Sequence, residues 1–265
     1  MHFRWFLLLA LLISLGCPVE LQTVDLDAGP KPLKERETPT VLVFTKTTGY
    51  RHHSIATGIR TIKQLGHDGA FQVVASEDSS MFRRNRLRDF QAVIFLNTTG
   101  DILNTNQQRA FENWYRGGGG FLGIHSAADT EYQWSFYGKL IGGAYFKSHP
   151  AVQKAMIHIQ DAQFPATRFL PQQWERTDEW YTFRRAPNTT SGITVAAEVR
   201  LHQDDGPKTK DIHPTIWYHT NDGGRMIYTG GGHTKESYAE PFFRAHLKAS
   251  IQWVAGIDNV HTGQP

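Results

Sequence analysis

Three short apolar runs, separated by segments with helical spacing, constrain the fold more than any other feature of this sequence. The runs are TVLVFT from Thr40, AVIFLN from Ala92 and GFLGI from Gly120, and none shows the polar alternation of a half-exposed strand. Strands that are buried on both faces and joined through helices form parallel sheets with right-handed crossovers. The sequence therefore predicts one α/β domain, with a doubly wound, mostly parallel sheet, helices on both faces and GFLGI as a central strand.

The segments between and after these runs extend the same pattern. A helix is predicted from about Ser54 to Gly66, FQVVAS is predicted to be a further buried strand, and NTNQQRAFENWYRGG is typical of a capped helix. Residues 147–198 show a weaker pattern and are predicted to be an insertion carrying loops. The pattern then returns with TIWYHT, a DGG turn, MIYTGGG and a helix from about Glu240 to Ala255.

The first 17 residues have the composition of a secretory signal, with one arginine and an apolar run too short to span a membrane comfortably. The sequence SLGC resembles a bacterial lipobox, although Ser14 stands where leucine is usual. We expect either lipid attachment at Cys17 or ordinary cleavage nearby. The chain is therefore predicted to be exported to the periplasm or outside the cell, and to meet a membrane only through such a lipid anchor. Residues 18–39 are predicted to be a tether, 40–258 the domain and 259–265 a tail.

Composition excludes several classes of function. Cys17 is the only cysteine, so the domain has no thiol for a disulfide, a nucleophile or a zinc–thiolate site. The net charge of +3 is too small to indicate a nucleic-acid partner. The basic cluster RRNRLRD also lacks the aromatic residues that stack on bases. The sequence carries no indication of oligomeric state.

Side chains with useful chemistry follow four of the predicted strands. They are His52 after the first strand, Asp101 after AVIFLN, the group His125, Ser126 and Asp129 after GFLGI, and His233 after MIYTGGG. The carboxyl ends of the strands in an open α/β sheet form one edge, where ligands bind. We therefore predict that His125 acts on a ligand there, as a metal ligand or an acid/base, with His233 opposite. The alternative is a buried histidine that binds a backbone carbonyl, and for Asp101 the alternative is a turn cap.

The segment TDEWYTF has a composition suited to binding sugars. Asp178 and Glu179 can accept hydrogen bonds from hydroxyls, while Trp180 and Tyr181 can cover the apolar face of a pyranose. The alternative is an edge strand with an amphipathic aromatic pair. The histidines of FKSHP (His149) and DIHP (His213) are expected to be structural. The GGGG run precedes a strand and lacks Gly-Lys-Ser/Thr, so it does not indicate phosphate binding.

The motifs GYRHHS, GGGFLGIHSAADT, TDEWYTF and GGRMIYTGGGH together resemble the ThuA-like family, named for trehalose utilisation, and they span most of residues 40–256. The resemblance implies a flavodoxin-like sheet similar to that of the class I glutamine amidotransferases. Those enzymes carry a cysteine at the elbow where this chain has His125, so amidotransfer through a thioester is excluded. The resemblance also implies action on oxidised (3-keto) sugars or glycosides. Its motif residues carry over as His52, His125, Asp129, Asp178, Glu179 and His233.

The chemistry of a 3-keto sugar defines the groups that such a site needs. A ketone at C3 acidifies the hydrogen at C2, and loss of that proton allows the substituent at C1 to leave. The step needs a base and an electrophile on the ketone oxygen. The predicted catalytic residues are His125, His233, Asp129 and Glu179, and the predicted substrate-binding residues are His52, Asp101, Ser126, Asp178, Trp180 and Tyr181. A divalent metal held by His52, His125 and His233 is inferred from residue types alone, since the sequence has no spaced metal motif.

Two other classes of function remain open at this point. Ser126 is the candidate nucleophile of a serine hydrolase, activated by His233, although GIHSA lacks the second glycine of Gly-x-Ser-x-Gly. The second open class is an exported carbohydrate-binding module without catalytic activity.

Overall fold

The computed structural model describes residues 38–201 and 212–257. The predicted signal segment with Cys17, all but the last two residues of the tether, and the predicted tail lie outside these residues. The strands are β1 (Thr40–Phe44), β2 (Gln72–Ser76), β3 (Ala92–Leu96), β4 (Gly120–Ile124), β5 (Phe146–Ser148), β6 (Gln153–Ile159), β7 (Gln173–Asp178), β8 (Thr182–Phe183), β9 (Thr194–Leu201), β10 (Ile212–His219) and β11 (Arg225–Thr229). The helices are α1 (Ile55–Gly69), α2 (Arg84–Leu87), α3 (Thr105–Arg116), α4 (Ser135–Leu140) and α5 (Pro241–Val254).

Nine of the described strands form one sheet, in the order β2-β1-β3-β4-β11-β10-β9-β6-β7. All pairs from β2 to β11 in this order are parallel, which confirms the predicted parallel core of an α/β fold. The run GFLGI forms β4, which is buried along its whole length and pairs in parallel with β3 and β11. This strand therefore lies in the interior of the sheet, as predicted.

The two faces of the sheet carry separate hydrophobic cores, because successive side chains of a strand point to opposite faces. Val41 and Val43 of β1 pack in a core that includes apolar residues of α1 and α5. Leu42 and Phe44 pack in a second core, with apolar residues of α3 and α4. Helices therefore cover both faces, as the sequence predicted.

The segment predicted to be an insertion of loops instead extends the sheet. Strands β6, β7 and β9 lie in this segment, and the pairs β10–β11, β9–β10, β6–β9 and β6–β7 are all antiparallel. The residues of β7 alternate between exposed and buried along the strand. The prediction of loops was wrong because it depended on continuous apolar runs, whereas these strands are buried on one face only.

Two further predictions about the parallel core need correction. FQVVAS was expected to be buried, but β2 is the edge strand of the sheet and its Val74 is exposed. Helix α1 was expected to stop at Gly66, but it continues to Gly69, and Ala70 in the left-handed conformation caps it. Gly66 serves a different purpose, since a Cβ atom there would lie 2.7 Å from the Phe71 carbonyl oxygen.

The GGGG run before β4 allows close packing of the chain. A Cβ atom on Gly119 would lie 2.5 Å from the Trp114 ring, and one on Gly120 would overlap the carbonyl oxygen of Val254 at the end of α5. The run therefore lets α3 and α5 approach the start of β4, in agreement with the rejection of a phosphate-binding role.

This packing predicts that Gly120→Ala destabilises the protein. The added methyl group must displace backbone atoms of α5, and overpacking of this kind costs about 1–3 kcal/mol in the free energy of unfolding. Urea denaturation followed by circular dichroism measures the change. Gly138→Ala in α4 is the matched control, because the nearest atom to its added methyl is the Tyr145 hydroxyl at 3.1 Å. Equal unfolding midpoints for the two variants would contradict the assignment.

Within residues 38–201 and 212–257, no helix is both long enough and apolar enough to cross a bilayer.

Candidate metal centre

Four side chains with metal-binding atoms converge at the carboxyl edge of the parallel strands. They are His52 after β1, His125 after β4, Glu179 after β7 and His233 after β11, and one ligating atom of each lies within 4.8 Å of those of the others. His52 is 5% exposed, His125 is fully buried, and the Glu179 side chain is 7% exposed. The structure therefore brings together the three histidines predicted as metal candidates and adds a carboxylate to them.

His125 is held in a strained backbone conformation that aims its ring into the cluster. Its φ angle is +50°, in the left-handed region that costs a non-glycine residue about 1–3 kcal/mol. Its Nδ1 lies 3.0 Å from the Gly230 carbonyl oxygen. Because a carbonyl only accepts hydrogen bonds, Nδ1 carries a hydrogen, and Nε2 is the nitrogen that faces Glu179 and His233.

The distances between the ligating atoms fit a bound cation. His125 Nε2 lies 3.3 Å from Glu179 Oε2 and 3.3 Å from His233 Nδ1, and His233 Nδ1 lies 3.2 Å from the same carboxylate oxygen. Ligands placed 2.0–2.1 Å from a tetrahedral zinc ion are about 3.3 Å apart from one another. The ring of His52 completes the set, with its centre 4.9 Å from that of His125 and 5.1 Å from that of His233.

The protonation of His52 and Glu179 suits metal binding, whereas the raised pKa of His233 opposes it. Burial, followed by repulsion from His125 and His233, lowers the pKa of His52 to about 3, so its imidazole is neutral at pH 7. Burial of the Glu179 carboxyl opposes its ionisation, but hydrogen bonds and charge interactions with His125 and His233 hold its pKa well below the ordinary range. The hydrogen bond to Glu179 raises the pKa of His233. A neutral imidazole and an ionised carboxylate are the forms in which these side chains bind metals.

Asp178 is fully buried beneath the cluster and holds it in place. Its Oδ2 accepts hydrogen bonds from Gly232 N at 2.7 Å and from the Ser237 hydroxyl at 2.8 Å, and its Oδ1 accepts from Glu179 N at 2.9 Å and from His233 N at 3.1 Å. Arg176 lies 3.1 Å from the same carboxylate. The expectation that Asp178 binds substrate is therefore corrected, since its carboxylate is occupied by the backbone that carries two metal candidates.

The aromatic residues predicted to bind a sugar are both buried. Trp180 is 1% exposed, belongs to the hydrophobic core and donates its indole N–H to the Gln153 carbonyl. It therefore has no free ring face for a ligand, which corrects that prediction. Tyr181 is 6% exposed and packs against His125, with 4.3 Å between ring centres, and against Phe146. Its ring supports the cluster from the side.

The remaining predicted site residues differ in their distance from the cluster. Ser126 is fully buried and its hydroxyl lies 3.4 Å from Nδ1 of His52, so its histidine neighbour is not the predicted His233. Asp129 ends the short 3-10 turn that begins at His125; it is half-buried and accepts a hydrogen bond from the Tyr132 hydroxyl. Burial raises its pKa, and the hydrogen bond from Tyr132, followed by the charges of Arg184 and His125, partly offsets this effect. Asp101 is exposed on the surface and is not among the converging side chains.

The structure adds two residues that the sequence did not indicate. His149 was expected to be structural, but its Nδ1 lies 3.0 Å from Glu179 Oε1, the carboxylate oxygen that faces away from the other histidines. Asn97, the last residue of AVIFLN, donates from Nδ2 to the Ser54 hydroxyl and to the Gly232 carbonyl. It thereby ties the loop of His52 to the loop of His233. Its position at the end of a predicted strand was the only indication in the sequence that Asn97 lies near the site. The His-Pro turn gave no indication that His149 contacts the site.

Comparison with known proteins identifies the relatives of this chain. Residues 40–254 match the family model described as ThuA, trehalose utilisation. A ThuA-like protein from Bacteroides uniformis is 21% identical, with a TM-score of 0.67 over 84% of this chain and 94% of the other. A ThuA-like protein from Parabacteroides merdae is 18% identical, with a TM-score of 0.70 over 86% and 94%. These likenesses confirm the predicted α/β fold with a mostly parallel core. None of the curated proteins matches the sequence.

Proposed function

The chain belongs to the ThuA (trehalose utilisation) family, and from that premise we propose that it is an exported enzyme that cleaves 3-keto glycosides. The observation that carries this proposal is the convergence of His52, His125, Glu179 and His233. The half-buried Asp129 ends the short turn that begins at His125. The signal segment predicted from the sequence over residues 1–17 supports export.

The four converging side chains fit a divalent metal ion. Their three nitrogens and one oxygen are spaced as ligands around one cation, and the Gly230 carbonyl fixes the tautomer of His125 as metal-binding histidines require. A metal held by these four residues would supply a Lewis acid for the ketone oxygen of the substrate. Asp178, Tyr181 and His149 hold the ring and carboxylate positions around it.

Asp129 is the proposed base for the sugar. Its carboxylate takes the proton from C2, the C–H electron pair forms the C1=C2 double bond, and the C1–O bond breaks. The aglycone oxygen takes up the proton that Asp129 removed, which regenerates the carboxylate. The products are therefore an unsaturated keto sugar and an alcohol, and no oxidant or reductant is consumed. Burial makes Asp129 a stronger base than an exposed carboxylate, because it raises the pKa of this group.

The test is aglycone release from a chromogenic 3-keto glycoside and from its unoxidised parent by the metal-loaded protein. We expect release from the keto compound alone, and a slower rate when C2 carries deuterium. Asp129→Asn should lower turnover about 10²-fold or more, the usual effect of losing a general base, while bound metal stays unchanged.

Three outcomes would contradict this function, each in favour of a different class. Equal cleavage of the unoxidised parent would indicate an ordinary glycosidase. Labelling of Ser126 by a serine-directed reagent, with loss of activity, would indicate a serine hydrolase. Saturable sugar binding without turnover of any keto glycoside would indicate a carbohydrate-binding module.

A further inference from the structure

We propose that Tyr50 is the platform on which the pyranose ring of the substrate stacks, an inference that rests on the proposed function for its choice of ligand. The sugar-binding aromatics predicted from TDEWYTF are both buried, so neither presents a free ring face. Tyr50 lies beside the cluster and is 59% exposed, the largest value among the exposed large apolar side chains of the described residues.

The position of Tyr50 is set by its contact with a metal candidate. Its ring meets the ring of His52 at 89°, with 4.9 Å between the centres. The ring centre of His52 in turn lies 5.1 Å from that of His233, so the rings of Tyr50 and His233 both contact the ring of His52. A ring stacked on Tyr50 would therefore lie next to the ligating histidines.

Exposure shows from which side a ligand can approach. His52, His125 and Glu179 are almost completely covered by protein. The side chains of His233 and His149 are 23% and 40% exposed, so the open side of the cluster is the side that carries these two rings. With Tyr50, they are the exposed aromatic groups in contact with the cluster. Of the three, only the phenol ring is a carbon surface suited to the C–H face of a sugar.

The backbone of Tyr50 is fixed before any ligand binds. Its carbonyl oxygen accepts a hydrogen bond from the Thr99 hydroxyl at 2.9 Å, and the same hydroxyl accepts one from Gly49 N at 3.2 Å. Thr48 N donates to the Thr99 carbonyl at 2.9 Å. The loop after β1 is thus pinned to the loop after β3. A large exposed aromatic side chain on a rigid loop is suited to ligand binding, because a fixed backbone loses little entropy when the ligand binds.

The inference is tested by comparing Tyr50→Ala and Tyr50→Phe with the wild type in the full chain. Phe242→Ala is the matched control, since Phe242 is 44% exposed and lies in the first turn of α5. The measurements are the KM for the 3-keto glycoside, the Kd for a panel of unreactive methyl pyranosides by saturation-transfer NMR, and bound metal per chain.

The expected result is a Kd and a KM raised about 5- to 10-fold in Tyr50→Ala, the scale of one lost aromatic stacking contact. Tyr50→Phe and Phe242→Ala should match the wild type, and bound metal should be equal in all four proteins. An unchanged Kd in Tyr50→Ala, loss of affinity in Tyr50→Phe, or loss of metal in Tyr50→Ala would each overturn the stacking role. Wild-type protein that binds no pyranoside of the panel would overturn it as well.

These outcomes separate the two proposals. Turnover of keto glycosides with an unchanged KM in Tyr50→Ala would refute the platform and leave the proposed function standing. Tyr50-dependent binding of pyranosides without turnover would refute the proposed function and support the platform.

Discussion

Replacement of His125 by glutamine is expected to remove the bound metal and to lower turnover of the keto glycoside about 10³-fold or more, within the range seen for loss of a general acid/base or a polarising ion. The reason is geometric. Nε2 of His125 lies 3.3 Å from both Glu179 Oε2 and His233 Nδ1, so this nitrogen is one of three ligating atoms close enough together to share one ion. Glutamine keeps a polar group of similar size and can still donate to the Gly230 carbonyl. The fold should therefore survive.

A second substitution at the same position separates function from stability. The left-handed conformation of residue 125 is tolerated better by asparagine than by glutamine. If histidine is present there for its ring, asparagine should lessen the backbone strain without restoring function. Metal-free His125→Asn should then unfold at a urea concentration at least as high as that of metal-free His125→Gln. Both variants should be equally inactive. Metal content by elemental analysis and unfolding by circular dichroism provide the two measurements.

The opposite pattern would show that His125 is a structural residue. In that case the glutamine variant would unfold at a lower urea concentration than the wild type in the absence of metal. The fraction that remained folded would keep its metal and its specific activity.

The edge of the sheet where this site lies was predictable from the sequence, because it depends on local patterns. Continuous apolar runs identify β1, β3 and β4 as buried parallel strands, and topology then requires their carboxyl ends to share one edge. His125 follows β4 directly, while His52 and His233 lie in the segments after β1 and β11. Their convergence is a consequence of the fold and needs no knowledge of long-range contacts.

Glu179 and Tyr50 show what local patterns do not contain. Glu179 follows β7, which the sequence indicated only as the alternative of an edge strand in TDEWYTF, and it reaches the cluster through the antiparallel arm of the sheet. The exposure of Tyr50 and the burial of Trp180 depend on which neighbours pack on each ring. An aromatic residue beside a carboxylate has the same sequence signature whether its ring faces a ligand or the core.

Asp178 is the residue for which the sequence and the structure make the most different predictions. As a substrate ligand, it would be replaceable by asparagine with a rise in KM and little change in stability. As the buried anchor seen here, it accepts four hydrogen bonds and pairs with Arg176, whose side chain is also buried. Asparagine presents an N–H₂ group to at least one of these donors and leaves the guanidinium without its buried partner.

We therefore expect Asp178→Asn to lower the free energy of unfolding by about 3–5 kcal/mol, as is usual when one member of a buried ion pair is removed. Metal affinity should fall about 10- to 100-fold in the protein that remains folded, because the backbones of Glu179 and His233 lose their support. Urea denaturation and metal titration measure the two effects separately.

Glu240→Gln is the control that isolates the role of the anchor. Glu240 is the other acidic partner of Arg176 and also accepts from the Trp174 indole, but its side chain is 25% exposed. The Asp178 carboxylate remains beside the guanidinium in this variant, and water can reach the altered group, so a loss of about 1 kcal/mol and an unchanged metal affinity are expected. If both variants lost stability equally and both kept the metal, the only role of Asp178 would be to neutralise the buried charge of Arg176. A selective loss of metal in Asp178→Asn would instead show that this buried carboxylate sets the positions of the ligands above it.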